Sequence, residues 1–115
     1  MTTAITFLSN KPEALESPIN ITEGDTRVFA CTYWATPTSP AAVAYRSNSG
    51  AGNGRAVTST IFPTNSPSAS GLVVTLSTAT GFVGNAEYII SVTATVDSQS
   101  FVRYFKVRVR KDEAL

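Results

Sequence analysis

The feature that most constrains the fold of this chain is a long alternation of apolar and polar residues near its C-terminus. Every second residue of segment 87–96 is apolar, in the order Tyr88, Ile90, Val92, Ala94 and Val96. Successive side chains of a strand point to opposite faces, so these residues share one face. After the turn-forming tetrapeptide Asp-Ser-Gln-Ser, the alternation resumes with Phe101, Phe105, Val107 and Val109. The pattern therefore predicts a long antiparallel hairpin over residues 87–110.

Shorter alternating runs precede the hairpin and are separated by clusters of Pro, Gly, Ser and Asn. They predict strands at residues 4–9, 19–23, 27–34, 42–46, 57–62 and 72–76. Short strands with turn signals between them are typical of a β-sandwich. We therefore expect an all-β fold, an Ig-like antiparallel β-sandwich of about seven to eight strands with an extended N-terminal arm. The term Ig-like refers to architecture only, because the chain has a single cysteine.

The same alternation predicts which side chains of the shorter strands form the core. Val43 and Tyr45 are expected to be an inward-facing pair in their short strand. Trp34 and Tyr45 form either an exposed aromatic contact patch or part of the core, and the core is favoured because sandwiches bury large aromatic residues. Cys31 lies in the middle of a strand, where a thiol behaves as a small apolar side chain.

The length of 115 residues fits a single domain, since domains commonly contain about 100–200 residues. We divide the chain into an N-terminal arm or edge strand at residues 1–18, an Ig-like sandwich at 19–111 and a C-terminal tail at 112–115. No internal repeat of the kind found in solenoids or propellers is visible in the sequence.

The N-terminal arm is a candidate partner-binding segment. Ile5 and Phe7 share one face of its alternating run, and Pro12 and Pro18 favour an extended chain. An extended arm can pair its main chain with the exposed strand edge of a neighbouring molecule. The alternative is that this run is the first strand of its own domain, and the sequence leaves both readings open.

Charge and hydropathy exclude two classes of partner. The net charge of +1 offers no basic excess for neutralising phosphates, so we expect no nucleic-acid partner. No stretch approaches the ~20 apolar residues of a membrane-spanning helix, so we expect no membrane partner. The first residues lack the basic and apolar regions of a signal peptide, which predicts that the protein is made in the cytoplasm.

The residue types that carry most enzyme chemistry are missing or scattered. The chain has no histidine, which removes Ser-His-Asp and Cys-His nucleophiles and histidine-ligated zinc. Gly50, Gly52 and Gly54 do not have the spacing of a dinucleotide fingerprint, and segment 47–54 is predicted to be a surface loop. The acidic residues form no cluster of the calcium-loop type. We therefore predict no enzyme activity, catalytic residues, cofactor or metal.

The last predicted strand is unusually basic. Its period of two places Lys106, Arg108 and Arg110 on one face, and Arg103 lies nearby in the sequence. One interpretation is an electrostatic docking stripe for an acidic partner surface. The other is a solvated face whose charges discourage edge-to-edge aggregation. The sequence favours the second interpretation but does not exclude the first.

Three segments carry a resemblance to a known group of proteins. The hairpin EYIISVTATVDSQSFVRYFKVRVRK, together with SASGLVVTLSTATGFVGNA and ITEGDTRVFACTYW, resembles the small Ig-like virion structural proteins of tailed bacteriophages over residues 19–111. In those proteins a G-[FVY]-x-G-x-x-Y turn enters the penultimate strand. Gly81, Phe82, Gly84 and Tyr88 are similar to it with slightly longer spacing.

The resemblance implies a non-enzymatic structural protein of the virion, made in the host cytoplasm. The expected role is a capsid cement or decoration protein that binds the outer shell and bridges capsomers. Its partners would be the major capsid protein or other virion proteins, together with further copies of itself. A tail or fiber adaptor is the alternative role, and a carbohydrate-binding or adhesion module is a further alternative. The partner-binding candidates are Ile5, Phe7, Lys106, Arg108 and Arg110.

Overall fold

The alternating runs of the sequence fold into nine strands and one helical turn in the residues that our computed structural model describes, 2–47 and 55–111. In chain order the elements are β1 (Thr2–Thr6), β2 (Ile19–Thr22), β3 (Val28–Thr32), β4 (Thr38–Ser47), β5 (Arg55–Ala56), α1 (Thr58–Ile61), β6 (Ser68–Ser70), β7 (Val73–Thr75), β8 (Glu87–Val96) and β9 (Gln99–Arg110). Apart from Ser47, the predicted loop 47–54 lies outside the described residues, as does the predicted tail 112–115.

Two sheets enclose the apolar core, which confirms the predicted all-β sandwich. One sheet has four strands in the order β1-β3-β7-β6, and the other has five in the order β2-β9-β8-β4-β5. Phe29 of the first sheet and Phe105 of the second meet in the core with their ring centroids 4.9 Å apart. Most neighbouring strands are antiparallel, but β1 is parallel to β3 and β2 is parallel to β9.

The predicted hairpin over residues 87–110 is confirmed. β8 and β9 are paired from Glu87 opposite Arg108 to Val96 opposite Gln99. The two residues between them, Asp97 and Ser98, both have positive φ, as a tight type I′ hairpin turn requires. Buried and less buried residues alternate along the whole of β8, so one face of the hairpin lies in the core.

The N-terminal segment is not an extended arm. β1 pairs with β3 at the edge of the four-stranded sheet of its own domain. Residues 7–18, which we call the crossing segment, then lead from this sheet to the five-stranded one, where Glu13 lies opposite Tyr104. The reading of the first run as a strand of its own domain is therefore the correct one.

The prediction that Val43 and Tyr45 face the core is wrong. β4 is longer than predicted, and Ala42 and Ala44 are its buried residues. Ala44 lies opposite Ile90 of β8, so the larger side chain of β8 fills the space between the sheets. Small residues on β4 suit that space, and the alternation then turns Val43 and Tyr45 outward.

The predicted strand at residues 57–62 is instead the helical turn α1. Ile61 and Phe62 are adjacent in sequence and both are buried, an arrangement that an alternating strand cannot provide. The Thr58 hydroxyl accepts a hydrogen bond of 3.1 Å from the Ala44 amide, and the Val57 amide donates to the Ala44 carbonyl. These bonds tie the turn to β4 and direct the two apolar side chains into the core.

Candidate docking surface on the five-stranded sheet

The predicted partner-binding residues separate into two groups that the fold does not bring together. Ile5 and Phe7 lie on the inner side of the four-stranded sheet, in the core. Lys106, Arg108 and Arg110 lie at alternate positions of β9, on the outer side of the five-stranded sheet. Each group needs its own interpretation.

Ile5 and Phe7 are structural residues, which corrects their assignment as partner contacts. Ile5 is 0% exposed and Phe7 is 2% exposed. The ring of Phe7 packs edge-to-face on Tyr33, with a centroid distance of 5.1 Å, and lies 6.4 Å from the ring of Phe105. Because β1 completes the sheet beside β3, both side chains contact their own domain and are inaccessible to a partner.

The cationic stripe Lys106, Arg108 and Arg110 faces outward, as the period of two predicts. Arg108 Nε donates a hydrogen bond of 2.9 Å to Glu87 Oε2 on the neighbouring strand. The side chains of Arg108 and Glu87 are 59% and 33% exposed, so water screens the pair and it contributes only about 0–1 kcal/mol to stability. Among the described carboxylates, none forms an ion pair with Lys106 or Arg110.

Apolar and aromatic side chains cover the centre of the same outer face. Tyr45, Ile89 and Lys106 form one row across β4, β8 and β9, and Tyr104 lies in the next row. Tyr45 is 36% exposed. The sequence favours a core position for Tyr45 and offers an exposed patch only as the alternative, with Trp34 rather than with Ile89 and Tyr104.

We call this outer surface the docking face. It comprises the outward-facing residues of the three long strands, namely Ala41, Val43, Tyr45, Glu87, Ile89, Ser91, Thr93, Thr95, Val102, Tyr104, Lys106, Arg108 and Arg110. A ten-residue strand is about 34 Å long and neighbouring strands lie about 4.8 Å apart, so the face and its flanking strands offer roughly 500–800 Å². Each partner contributes roughly 800 Å² to a standard protein interface, so the face has a suitable size.

Arg103 is not part of the cationic stripe, although it is close to Lys106 in the sequence. It faces inward and is only 9% exposed. Its guanidinium carbon lies 4.9 Å from the centroid of Trp34 and 5.1 Å from that of Phe101, a cation–π arrangement. Trp34 itself is half-buried against the core, as the sequence favoured.

The Arg103 guanidinium also anchors the crossing segment. Its Nε donates to the Leu8 carbonyl at 2.8 Å, and one terminal nitrogen donates to the Ser9 carbonyl at 3.1 Å. A third bond of 3.0 Å reaches the Val102 carbonyl. Three carbonyl oxygens thus replace the water molecules that the Arg103 guanidinium loses on burial. Two of these bonds fix the start of the crossing segment.

Further hydrogen bonds attach the crossing segment to both sheets. The Glu16 carboxylate accepts bonds of 2.6 and 2.7 Å from the Thr6 amide and hydroxyl at the end of β1. At the other sheet, the Ala14 amide donates to the Tyr104 carbonyl and the Lys106 amide donates to the Ser17 hydroxyl. The segment therefore covers the edge of β9 and holds the backbone that presents Tyr104 and Lys106.

The other features of the described part of the chain offer little chemistry. A cleft of about 360 Å³ is lined by Arg46, Ala56, Val57, Ser59, Thr60, Gly81, Val83 and Tyr88, with no carboxylate among them. The Cys31 thiol is fully buried, and burial raises its pKa far above the ordinary range. Within the described ranges, no three His, Cys, Asp or Glu residues are grouped to hold a metal ion. No described helix has the length and hydrophobicity to span a membrane.

Comparison with family models and curated proteins does not assign this chain to a family. No protein-family model matches the chain, and no curated protein matches it. We therefore infer the function from the residues of the docking face and from the resemblance of residues 19–111 to small virion proteins.

Proposed function

We propose that this protein is a non-enzymatic structural protein of a tailed-bacteriophage virion, acting as a capsid cement or decoration protein. It binds the outer shell through the docking face and stabilises neighbouring capsomers by burying surface against them. Its partners are the major capsid protein or other virion proteins. The observation that carries the proposal is the docking face, with its apolar centre and cationic edge.

The composition of the docking face supports a protein partner. Protein interfaces commonly combine an aromatic, uncharged centre with a polar or charged rim. Tyr45 and Tyr104 lie in the centre here, while Arg108 and Arg110 lie toward one end of the strands. Three long paired strands support these side chains, and β-sheet side chains present a fixed surface without a large ordering cost on binding.

The two outer surfaces of the sandwich differ in a way that supports docking through the five-stranded sheet. The outer residues of the four-stranded sheet are uncharged and not aromatic, and they include Ala4, Val28, Ala30, Thr32, Val73 and Thr75. They offer neither the charge nor the aromatic area that gives an interface its specificity. We assign attachment to the docking face and a passive role to the opposite surface.

The test is the copy number of the protein in purified virions, measured by quantitative mass spectrometry against the major capsid protein. A cement protein is expected in a number comparable with that of the major capsid protein, because it covers the shell. A few copies per particle would instead assign it to the tail or a fiber. Absence from the virion would contradict the proposal.

A further inference from the structure

The three cations of the docking face are not equivalent. Arg108 already has a carboxylate partner in Glu87, with 2.9 Å between Nε and Oε2. Lys106 and Arg110 have no such partner among the described carboxylates. The nearby Glu13 carboxylate accepts a hydrogen bond of 2.6 Å from Ser17, and Glu23 accepts one of 3.3 Å from the Gly84 amide.

This difference determines what a partner has to supply. Covering a cation removes it from water, and the cost is offset only by an opposite charge or by hydrogen bonds. Arg108 keeps its internal partner when the face is covered, whereas no carboxylate of the described residues pairs with Lys106 or Arg110, and a partner has to supply one for each. A purely apolar surface would leave both without a counter-charge, and a basic surface would repel them.

We infer that the docking face recognises an acidic protein surface whose carboxylates pair with Lys106 and Arg110, while Arg108 stays paired with Glu87. This inference rests on the proposed docking function and specifies its partner. The two cations are four residues apart on one strand, so their partner carboxylates lie about 13 Å apart. Beside Lys106, on the side away from Arg110, the partner presents an apolar area that covers Ile89 and Tyr104.

A nucleic-acid backbone fits the face less well. Its phosphates recur at short intervals, and a run of them along β9 would also approach the Glu87 carboxylate. The exposed apolar area around Tyr45 would gain nothing from a phosphate backbone. The face therefore favours a protein with separated carboxylates.

The experiment measures attachment of the full chain to purified particles that lack it, over a series of NaCl concentrations. Lys106→Gln and Arg110→Gln remove one charge each and keep much of the side-chain stem. We expect each variant to bind about tenfold more weakly and with a shallower salt dependence, because exposed charge pairs are screened by salt. Unchanged thermal unfolding shows that each variant is folded.

The double variant Glu87→Gln/Arg108→Ser removes one charge of each sign from the same face, and we expect it to weaken attachment less than Lys106→Gln does. Glu87→Gln alone releases Arg108 and is expected to strengthen attachment. The matched control is Lys11→Gln, which removes one positive charge from an exposed side chain outside the docking face, and its attachment should equal that of the natural chain. Equal losses in the double variant and in Lys106→Gln would overturn the assignment of the two cations.

The outcomes separate this inference from the proposed function. If the natural chain attaches and Lys106→Gln and Arg110→Gln attach equally well, the inference is wrong and the docking function stands. If the natural chain does not attach to particles, both are wrong. Competition by poly-L-glutamate supports a carboxylate partner, whereas stronger competition by a short DNA duplex of equal charge would overturn it.

Discussion

The first and last strands of this domain both carry alternating candidate partner-binding residues, yet the fold uses them in opposite ways. Ile5 of β1 and Phe7, which directly follows β1, lie inside the domain, whereas the set of β9 that begins with Lys106 lies outside. Alternation indicates which residues share a face, but it does not indicate which face is covered. Coverage depends on the neighbouring strand and on the opposite sheet, which come from distant parts of the sequence.

The difference between the two strands gives them separate roles. Truncations at β1 are expected to affect folding, and charge changes on the outer face of β9 are expected to affect attachment. The effect of a substitution on stability or attachment should therefore decrease from the buried residues near β1 to the outer surface of the four-stranded sheet.

The largest effect is expected at the buried residues in β1 and directly after it. Phe7→Ala removes a buried ring from the core and should reduce the free energy of unfolding by about 3–5 kcal/mol. Urea unfolding measures the change, and the alkylation rate of the buried Cys31 thiol reports opening of the domain independently. Ala4→Ser, on the exposed side of the same strand, is the control and should change stability by no more than about 0.5 kcal/mol.

Deleting residues 1–9 extends the same test. The deletion removes Ile5 and Phe7 together, as well as the Leu8 and Ser9 carbonyls that bind Arg103. We expect the truncated chain not to fold stably, because a domain of this size has only about 5–15 kcal/mol of stability. A truncated chain that kept cooperative thermal unfolding would contradict the role of β1 in the core.

A smaller loss is expected at Arg103, which connects the two regions. Arg103→Met keeps apolar volume but removes three donors to carbonyls, so we expect a loss of about 2 kcal/mol. The Tyr104 amide, which donates to Pro12, should exchange its hydrogen faster because the crossing segment is less well held. Unfolding at the same urea concentration as the natural chain would show that Arg103 does not anchor the segment.

The cationic stripe is expected to affect attachment with little effect on folding. Replacing Lys106, Arg108 and Arg110 together with Ser should shift unfolding by about 1 kcal/mol at most, since the ion pair lost among the described residues, Arg108–Glu87, is at the surface. Attachment to particles should weaken by about a hundredfold, because the tenfold losses expected at Lys106 and at Arg110 multiply, and it should lose most of its salt dependence. Attachment with unchanged strength and salt dependence would mean that the stripe is only a solvated face.

The smallest effect is expected on the outer surface of the four-stranded sheet. Thr75 is exposed there beside Ala30 of the neighbouring strand. Thr75→Lys should leave both stability and attachment nearly unchanged, within about 0.5 kcal/mol. A clear loss of attachment would move the docking surface to this side of the sandwich.

The parts of the fold that the sequence predicts well are those with long local patterns. The hairpin of β8 and β9 has enough alternating residues to specify its strands and its register, and the turn at Asp97 is adjacent to both. The same alternation of β9 predicts that Lys106 and Arg110 share one face. The sandwich class follows from the many short strands and turn residues.

The errors occur where position depends on distant residues. Alternation predicts that Val43 and Tyr45 face inward, but Ala42 and Ala44 do so instead, because Ile90 and its neighbours on β8 already fill that space. One turn of helix at α1 is too short to show a helical period. The course of residues 7–18 is set by Arg103, which lies almost at the other end of the chain. These contacts have no local signature in the sequence.

The most direct test of the docking face is the acetylation of lysines in the Thr75→Lys variant, free in solution and attached to particles. This variant carries Lys106 on the docking face and an introduced lysine on the opposite surface of the sandwich. We predict that attachment protects Lys106 from acetylation and leaves the introduced lysine as reactive as in the free protein. Equal reactivity of Lys106 in both states, or protection of the introduced lysine instead, would contradict attachment through the five-stranded sheet.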